Sequence, residues 1–153
     1  DGLNALVGSL DTIKQAKAPI IMTPHPGELG RLLGVSPGDV QKDRIGIASD
    51  FALKYKVIVV LKGAGTVIAT PDGRIFVNST GNPGMATGGT GDVLTGMIGG
   101  LLAQGYTASQ AACLGVYLHG FAGDLAAKDK GEEGMIAGDL IEKIPDAISD
   151  ILK

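Results

Sequence analysis

The sequence is short of cysteine, aromatic residues and positive charge, and each shortage removes a class of protein. One cysteine, Cys113, in 153 residues excludes an internal disulfide. Its apolar, helix-patterned surroundings predict a buried thiol in a reducing compartment, the cytoplasm. Thirteen Lys and Arg against 16 Asp and Glu, a net charge of −3, exclude a broad nucleic-acid-binding face, although not a local positive pocket for phosphate. Aromatics are only 4%, but 44% hydrophobic and 19% charged residues is an ordinary globular balance. No charged segment followed by an apolar one opens the chain, so no signal peptide is visible. Val93 to Gly123 carries no Asp, Glu, Lys or Arg, and a membrane span takes about 20 apolar residues. Gln104-Gly105-Tyr106-Thr107 and Ser109-Gln110 interrupt it, which predicts two buried helices joined by a turn and no membrane. Two histidines and one cysteine, far apart, give no zinc spacing. Walker A, G-x-G-x-x-G, G-x-S-x-G and H-E-x-x-H patterns are all missing.

Glycine is abundant, at 25 residues, which points to tight turns or close backbone approach to a ligand. The chain begins with Asp1, and a processed or truncated piece is expected. Residues 4–16 read as a short helix and 19–22 as a strand. Pro26 is expected at the first position of a helix ending near Gly34, with Glu28 in its first turn. Ser36 and Pro37 open another helix, with a core-facing stripe of Val40, Ile45, Ile47, Ala48, Phe51 and Ala52. The apolar run 57–61 reads as a strand buried on both faces, as in a parallel sheet. Pro71-Asp72-Gly73 joins a hairpin of 67–69 and 74–77. Helices follow over 92–103 and 107–127, with Thr107 as N-cap, then a charged loop, then helical segments over 137–152 bent at Pro145. The class is α/β, with enough length for one domain. Only about two core strands precede the hairpin, so a missing N-terminal part or another chain is expected to complete the sheet.

The chemistry-bearing stretch is Gly81 to Asp92, with five glycines in twelve residues ahead of an apolar helix. Glycines let N–H groups converge, and a helix start adds free N–H groups and a positive dipole end, a setting for phosphate or an oxyanion. Asp92 fits two readings: it caps the helix, or it takes a proton from a hydroxyl beside the phosphate. Lys62-Gly63-Ala64-Gly65-Thr66, after the buried strand, is either a turn with a solvated lysine or a nucleotide contact. His25 lies just past a strand end, where open α/β sheets bind ligands, but a structural role is equally open. His119 reads as packed or capping.

Together these segments resemble the NAD(P)H-hydrate dehydratases, a branch of the ribokinase-like superfamily. Residues 1–6 look like the end of the family's D-A-D-[AG]-L-N motif, and Thr23-Pro24-His25-Pro26-Gly27-Glu28 like its T-P-H-P-G-E motif. Lys62 to Thr66 resembles its K-x-x-x-T segment. Asn78 to Asp92 is similar to its glycine-rich signature ending G-G-[ST]-G-D, and Tyr117-Leu118-His119-Gly120 to its Y-x-H-G helix. The resemblance implies a three-layer α/β/α sandwich. It also implies ADP- or ATP-driven dehydration of the S epimer of hydrated NADH or NADPH, giving AMP and phosphate from ADP, with magnesium.

By the same resemblance, Asp92 would be the base on the substrate hydroxyl and would bind the substrate. Gly89, Thr90 and Gly91 would form the anion hole. Lys62, Gly63, Ala64, Gly65, Thr66 and Gly91 would hold the nucleotide, His25 would contact the hydrated nicotinamide, and Glu28 would orient magnesium through water. The family's full domain is nearly twice this length, so the chain alone is expected to be inactive or poorly soluble without its missing half. A homo-oligomer, with a tetramer among the options, is the family expectation. The competing readings are a small-molecule kinase of the same superfamily and a non-catalytic nucleotide-binding module.

Overall fold

A computed structural model describes residues 2–152, so Asp1 of the D-A-D-like segment lies outside the described residues. The chain divides into two compact units, Asp1–Val77 and Asn78–Lys153.

The first unit is built on a four-stranded sheet of β1 (Ile21–Met22), β2 (Ile58–Leu61), β3 (Val67–Ala69) and β4 (Ile75–Val77), in that spatial order. β1 and β2 are parallel, with Ile21 opposite Ile58 and Met22 opposite Val59. A parallel pair needs a long crossover. Here it is made by α1 (Pro26–Leu33), α2 (Pro37–Lys42) and α3 (Arg44–Tyr55). All four residues of β2 are buried, as its unbroken apolar run requires. The sheet is parallel on one side of β2 only, because the tight turn 62–66 brings β3 back antiparallel. Leu29, Val40, Ala48, Phe51 and Ala52 from the helices meet Met22, Val59, Leu61, Val67 and Ala69 from the sheet in one core.

Local chemistry sets the helix ends. Pro26 stands at the start of α1, and Gly34 closes it in the left-handed region at φ 71°. The Ser36 hydroxyl accepts the Asp39 N–H at 3.1 Å, capping α2. The expected single helix from Pro37 is two. Asp43 leaves helical geometry at φ −142°, and its carboxylate caps α3 by accepting the Gly46 N–H at 2.8 Å. That break resets the helical phase, so Ile45, expected in the core stripe, is 52% exposed while Phe51 is 1% exposed. Residues 4–16 form two 3-10 turns, Asn4–Leu6 and Leu10–Gln15, in place of the expected helix. Gly8 between them sits at φ 79° and interrupts it. The β3–β4 hairpin turns at Pro71-Asp72-Gly73, where hydrogen bonds from Arg74 and then Thr70 hold the Asp72 carboxyl well below its ordinary pKa.

The second unit comprises α4 (Thr90–Ala103), α5 (Ala108–Lys130) and α6 (Ala137–Ile151), preceded by a 3-10 turn at Pro83–Met85. Thr107 and Gln110 form a reciprocal cap at the start of α5. This helix runs to Lys130, past the expected end, and so carries Lys128 and Lys130 in its last turn, where the helix dipole favours cations. Its buried positions are mostly Ala and Gly, which permits close approach. A Cβ on Gly115 would lie 2.7 Å from Ile98 Cγ1 of α4. Leu118, Ala122 and Ala147 form the α5–α6 core with Ile144 and Met97. Cys113 is half-buried, less enclosed than expected. α6 continues through Pro145 as one helix. Among the described residues no helix is long and apolar enough to cross a membrane, in line with the turn separating α4 from α5.

Candidate functional site

Each unit carries a separate set of candidate groups. In the first unit, β1 and β2 run side by side and end together. Their carboxyl ends therefore place the turns 23–28 and 62–66 next to each other, the position at which α/β sheets bind ligands. The Lys62 N–H donates to Pro24 O at 2.9 Å and ties the two turns.

His25 is the N-cap of α1. Its Nδ1 accepts the N–H groups of Gly27 at 3.0 Å and Glu28 at 3.2 Å. Glu28 reciprocates by accepting the His25 N–H through Oε2 at 2.7 Å. Gly27 leaves room for the ring, since a Cβ there would sit 2.9 Å from the imidazole Cε1 and push it aside. The structural and ligand-facing readings of His25 are thus compatible: one ring nitrogen caps the helix, while 51% of the side chain stays exposed. Lys62 Nζ lies 3.7 Å from Glu28 Oε2 and His25 Nε2 lies 3.6 Å from it, so the three expected residues gather at one point.

The 62–66 turn has a buttress that sequence reasoning missed. Arg44, at the start of α3, donates from Nη2 to Leu61 O at 3.1 Å and Gly65 O at 3.3 Å, and from Nη1 to Gln41 Oε1 at 3.1 Å. Partial burial lowers its pKa from the ordinary arginine value, and a guanidinium remains charged regardless. The Thr66 hydroxyl donates to Gly63 O at 3.0 Å.

In the second unit, the glycine-rich loop 78–89 is pinned along α5. The Thr80 hydroxyl donates to Tyr117 O at 2.9 Å. Asp124 accepts the Gly81 N–H at 2.9 Å and the Asn82 side-chain amide at 3.0 Å. Gly120 allows this contact, because a Cβ there would come within 2.2 Å of Thr80 Oγ1. Sequence reasoning also missed Asp124, although a signal existed: it is the lone Asp, Glu, Lys or Arg between Val93 and Ala127.

The helix begins at Thr90, not at Asp92 as expected, with Gly89 as N-cap at φ 91°. The buried Thr90 hydroxyl lies 2.9 Å from Met85 O and 3.0 Å from Thr87 O, closing the loop onto the helix. The two extra residues follow from these contacts: Thr90 is held by the loop it ends, a constraint that helix propensity does not register. His119 of α5 contacts Thr90 O at 2.8 Å through Nε2, in keeping with its expected packing role. The Asp92 N–H is used by Gly89 O at 3.0 Å. The N–H groups of Gly89, Thr90 and Gly91 make no hydrogen bond among the described residues, and a first helical turn leaves such donors for a ligand. Asp92, the next residue along the helix, is exposed. Among the described residues no group of three or more His, Cys, Asp or Glu is placed to hold a metal.

Comparison with known proteins gives these groups a context. Residues 1–146 match the profile of the NAD(P)H-hydrate dehydratase family. The chain belongs to that family. It is 51% identical over 145 residues to a bifunctional NAD(P)H-hydrate repair enzyme of Moorella thermoacetica, covering 95% of this chain and 27% of that protein. A crystal structure of the ADP/ATP-dependent NAD(P)H-hydrate dehydratase of Bacillus subtilis, co-crystallized with ATP and Mg2+, matches with a TM-score of 0.84 at 41% identity. The match covers 86% of this chain and 48% of that one. A ribokinase-like superfamily protein of Enterococcus faecalis V583 matches with a TM-score of 0.74 at 31% identity, covering 94% of this chain and 50% of that one. The fold is therefore ribokinase-like α/β, and the chain spans half or less of the length of these family members.

Proposed function

We propose that the chain carries the nucleotide-binding and proton-abstracting part of an ADP-dependent dehydratase. That enzyme would return the S epimer of hydrated NADH or NADPH to the reduced dinucleotide, releasing AMP and phosphate. The observation that carries this reading is the carboxylate of Asp92, on an exposed residue directly after the uncommitted N–H groups of Gly89, Thr90 and Gly91. An acid beside an anion-binding helix start is unfavourable for binding phosphate alone. It is useful where a hydroxyl must lose its proton as it attacks phosphorus.

In this reading Asp92 binds the substrate hydroxyl and takes its proton, while Gly89, Thr90 and Gly91 stabilise the charge on the migrating phosphoryl group. Lys62, Gly63, Ala64, Gly65 and Thr66 hold the nucleotide, with Gly91 against it. His25 meets the hydrated nicotinamide. Glu28 suits a water-mediated magnesium contact: it is a single carboxylate, and its contacts with His25 and Lys62 all fall on Oε2. Magnesium usually keeps several waters and arrives with phosphates, needing only one or two carboxylates. When bound it would neutralise phosphate charge. The family match spans both units, which supports one ribokinase-like catalytic domain. In this reading further chain or another subunit completes it, and the enzyme works as a cytoplasmic homo-oligomer.

The test is Asp92→Asn in the whole protein, assayed with hydrated NADH, ADP and magnesium. Loss of the base should lower kcat by about 10²–10⁴ while ADP still binds. Turnover near the parent rate would remove Asp92 from the mechanism, and a phosphorylated product that accumulates with no free phosphate released would indicate a kinase.

A further inference from the structure

The turn 62–66 has an unusual division of its polar groups. Two of its carbonyls and the one just before it are engaged: Leu61 O and Gly65 O accept from Arg44 Nη2, and Gly63 O accepts from the Thr66 hydroxyl. Of its amides, Lys62 N–H donates to Pro24 O, whereas the N–H groups of Gly63, Ala64 and Gly65 have no acceptor among the described residues, and all three residues are exposed. Gly63 and Gly65 hold φ values of 140° and 60°, backbone conformations that a residue with a side chain rarely adopts. Gly63 also lies against the guanidinium, since a Cβ there would fall 2.4 Å from Arg44 Nη1. Arg44 makes no ion pair among the described residues, and its remaining partners are neutral oxygens.

We propose that Arg44 is the positioning residue of the nucleotide turn: by binding the carbonyls of Leu61 and Gly65 it presents the amides of Gly63 to Gly65 to a nucleotide phosphate, and its unneutralised charge strengthens that binding. This rests on the assignment of residues 62–66 to the nucleotide. Arg44 acts through the turn and takes no part in the proton transfer. The carbonyl oxygens would otherwise compete for the same space and repel an anion. A guanidinium suits the task because one nitrogen reaches two carbonyls while the other holds Gln41, a geometry that a lysine ammonium on its flexible stem does not reproduce.

The experiment compares Arg44→Met, Arg44→Lys and Gly63→Ala with the parent protein. The readouts are calorimetric titration with ADP and steady-state kinetics in both substrates. Removing charge-assisted hydrogen bonds predicts an ADP Kd raised about tenfold or more in Arg44→Met. Arg44→Lys should fall between Arg44→Met and the parent. The KM for hydrated NADH should stay within about twofold, because the turn is assigned to the other substrate. Gly63→Ala should weaken ADP binding as well, and combining it with Arg44→Met should add little, since both changes disrupt one contact. Millimolar guanidinium restoring ADP affinity to Arg44→Met would support the proposal independently of folding. An ADP Kd within twofold of the parent in Arg44→Met overturns it. So does an equal rise in both KM values with no guanidinium rescue, the mark of a merely structural residue. If the parent itself binds no ADP, the nucleotide assignment fails and this proposal fails with it. Parent binding with no effect of Arg44 sinks this proposal alone.

Discussion

The turn at residues 62–66 is steadied by a cation that takes carbonyl oxygens, while the loop at 78–89 is steadied by an anion that takes an amide. Arg44 of α3 occupies Leu61 O and Gly65 O, and Asp124 of α5 occupies the Gly81 N–H and the Asn82 side chain. The consequences are opposite. The cationic buttress takes oxygens and leaves the amides of Gly63, Ala64 and Gly65 without an acceptor among the described residues. The anionic one takes the Gly81 N–H, and the N–H groups without an acceptor in that stretch lie further along, at the start of α4.

Asp124→Ala offers the severest test of this contrast. It leaves the Gly81 N–H and Asn82 without their charged acceptor, so a loss of about 1.5–3 kcal/mol of stability is expected by denaturant titration. ADP affinity at the 62–66 turn should stay near the parent value. If Arg44→Met and Asp124→Ala change ADP affinity alike, the two buttresses do not serve separate donors. Thr90→Val, nearly isosteric, should cost about 1–2 kcal/mol by leaving Met85 O and Thr87 O without the buried hydroxyl. It should also lower kcat, because the same loop leads to Asp92. A kcat unchanged by Thr90→Val would show that closing the loop does not matter to the reaction.

Asp72→Asn gives the smallest effect and a control away from both regions. The Asp72 carboxyl is depressed by hydrogen bonds from Arg74 and Thr70. A folded-state pKa below the unfolded value contributes stability above the unfolded pKa, and that stability is lost as pH falls toward the folded pKa. Parent and variant should therefore differ modestly in Tm at neutral pH and converge as pH drops below about 4. A gap that widens in acid would contradict the sign.

Punctuation in the sequence was the readable part of the fold. Pro26, Gly34, Ser36 and Thr107 mark helix ends in the structure as expected, because caps and turns depend on chemistry within three or four residues. The buried strand 58–61 and the hairpin at Pro71-Asp72-Gly73 were legible for similar reasons. The break at Asp43 was not, since an aspartate in a helical pattern gives no sign that its carboxylate will cap the next helix. Within the candidate groups, His25, Glu28 and Lys62 lie together, and the N–H groups of residues 89–91 make no hydrogen bond among the described residues. Their supports were hidden. Arg44 meets the turn from 17 and 21 residues away and Asp124 meets the loop from 43 and 42, and charged residues at such distances normally read as solvated surface.

The cap on α1 dictates what His25 can say to a ligand. With Nδ1 occupied as an acceptor, a neutral imidazole must keep its proton on Nε2. The ring can then only offer hydrogen, never a lone pair. A molecule that hydrogen-bonded to that nitrogen would have to bring an acceptor, such as a carbonyl or hydroxyl oxygen, and one presenting only an N–H would be turned away.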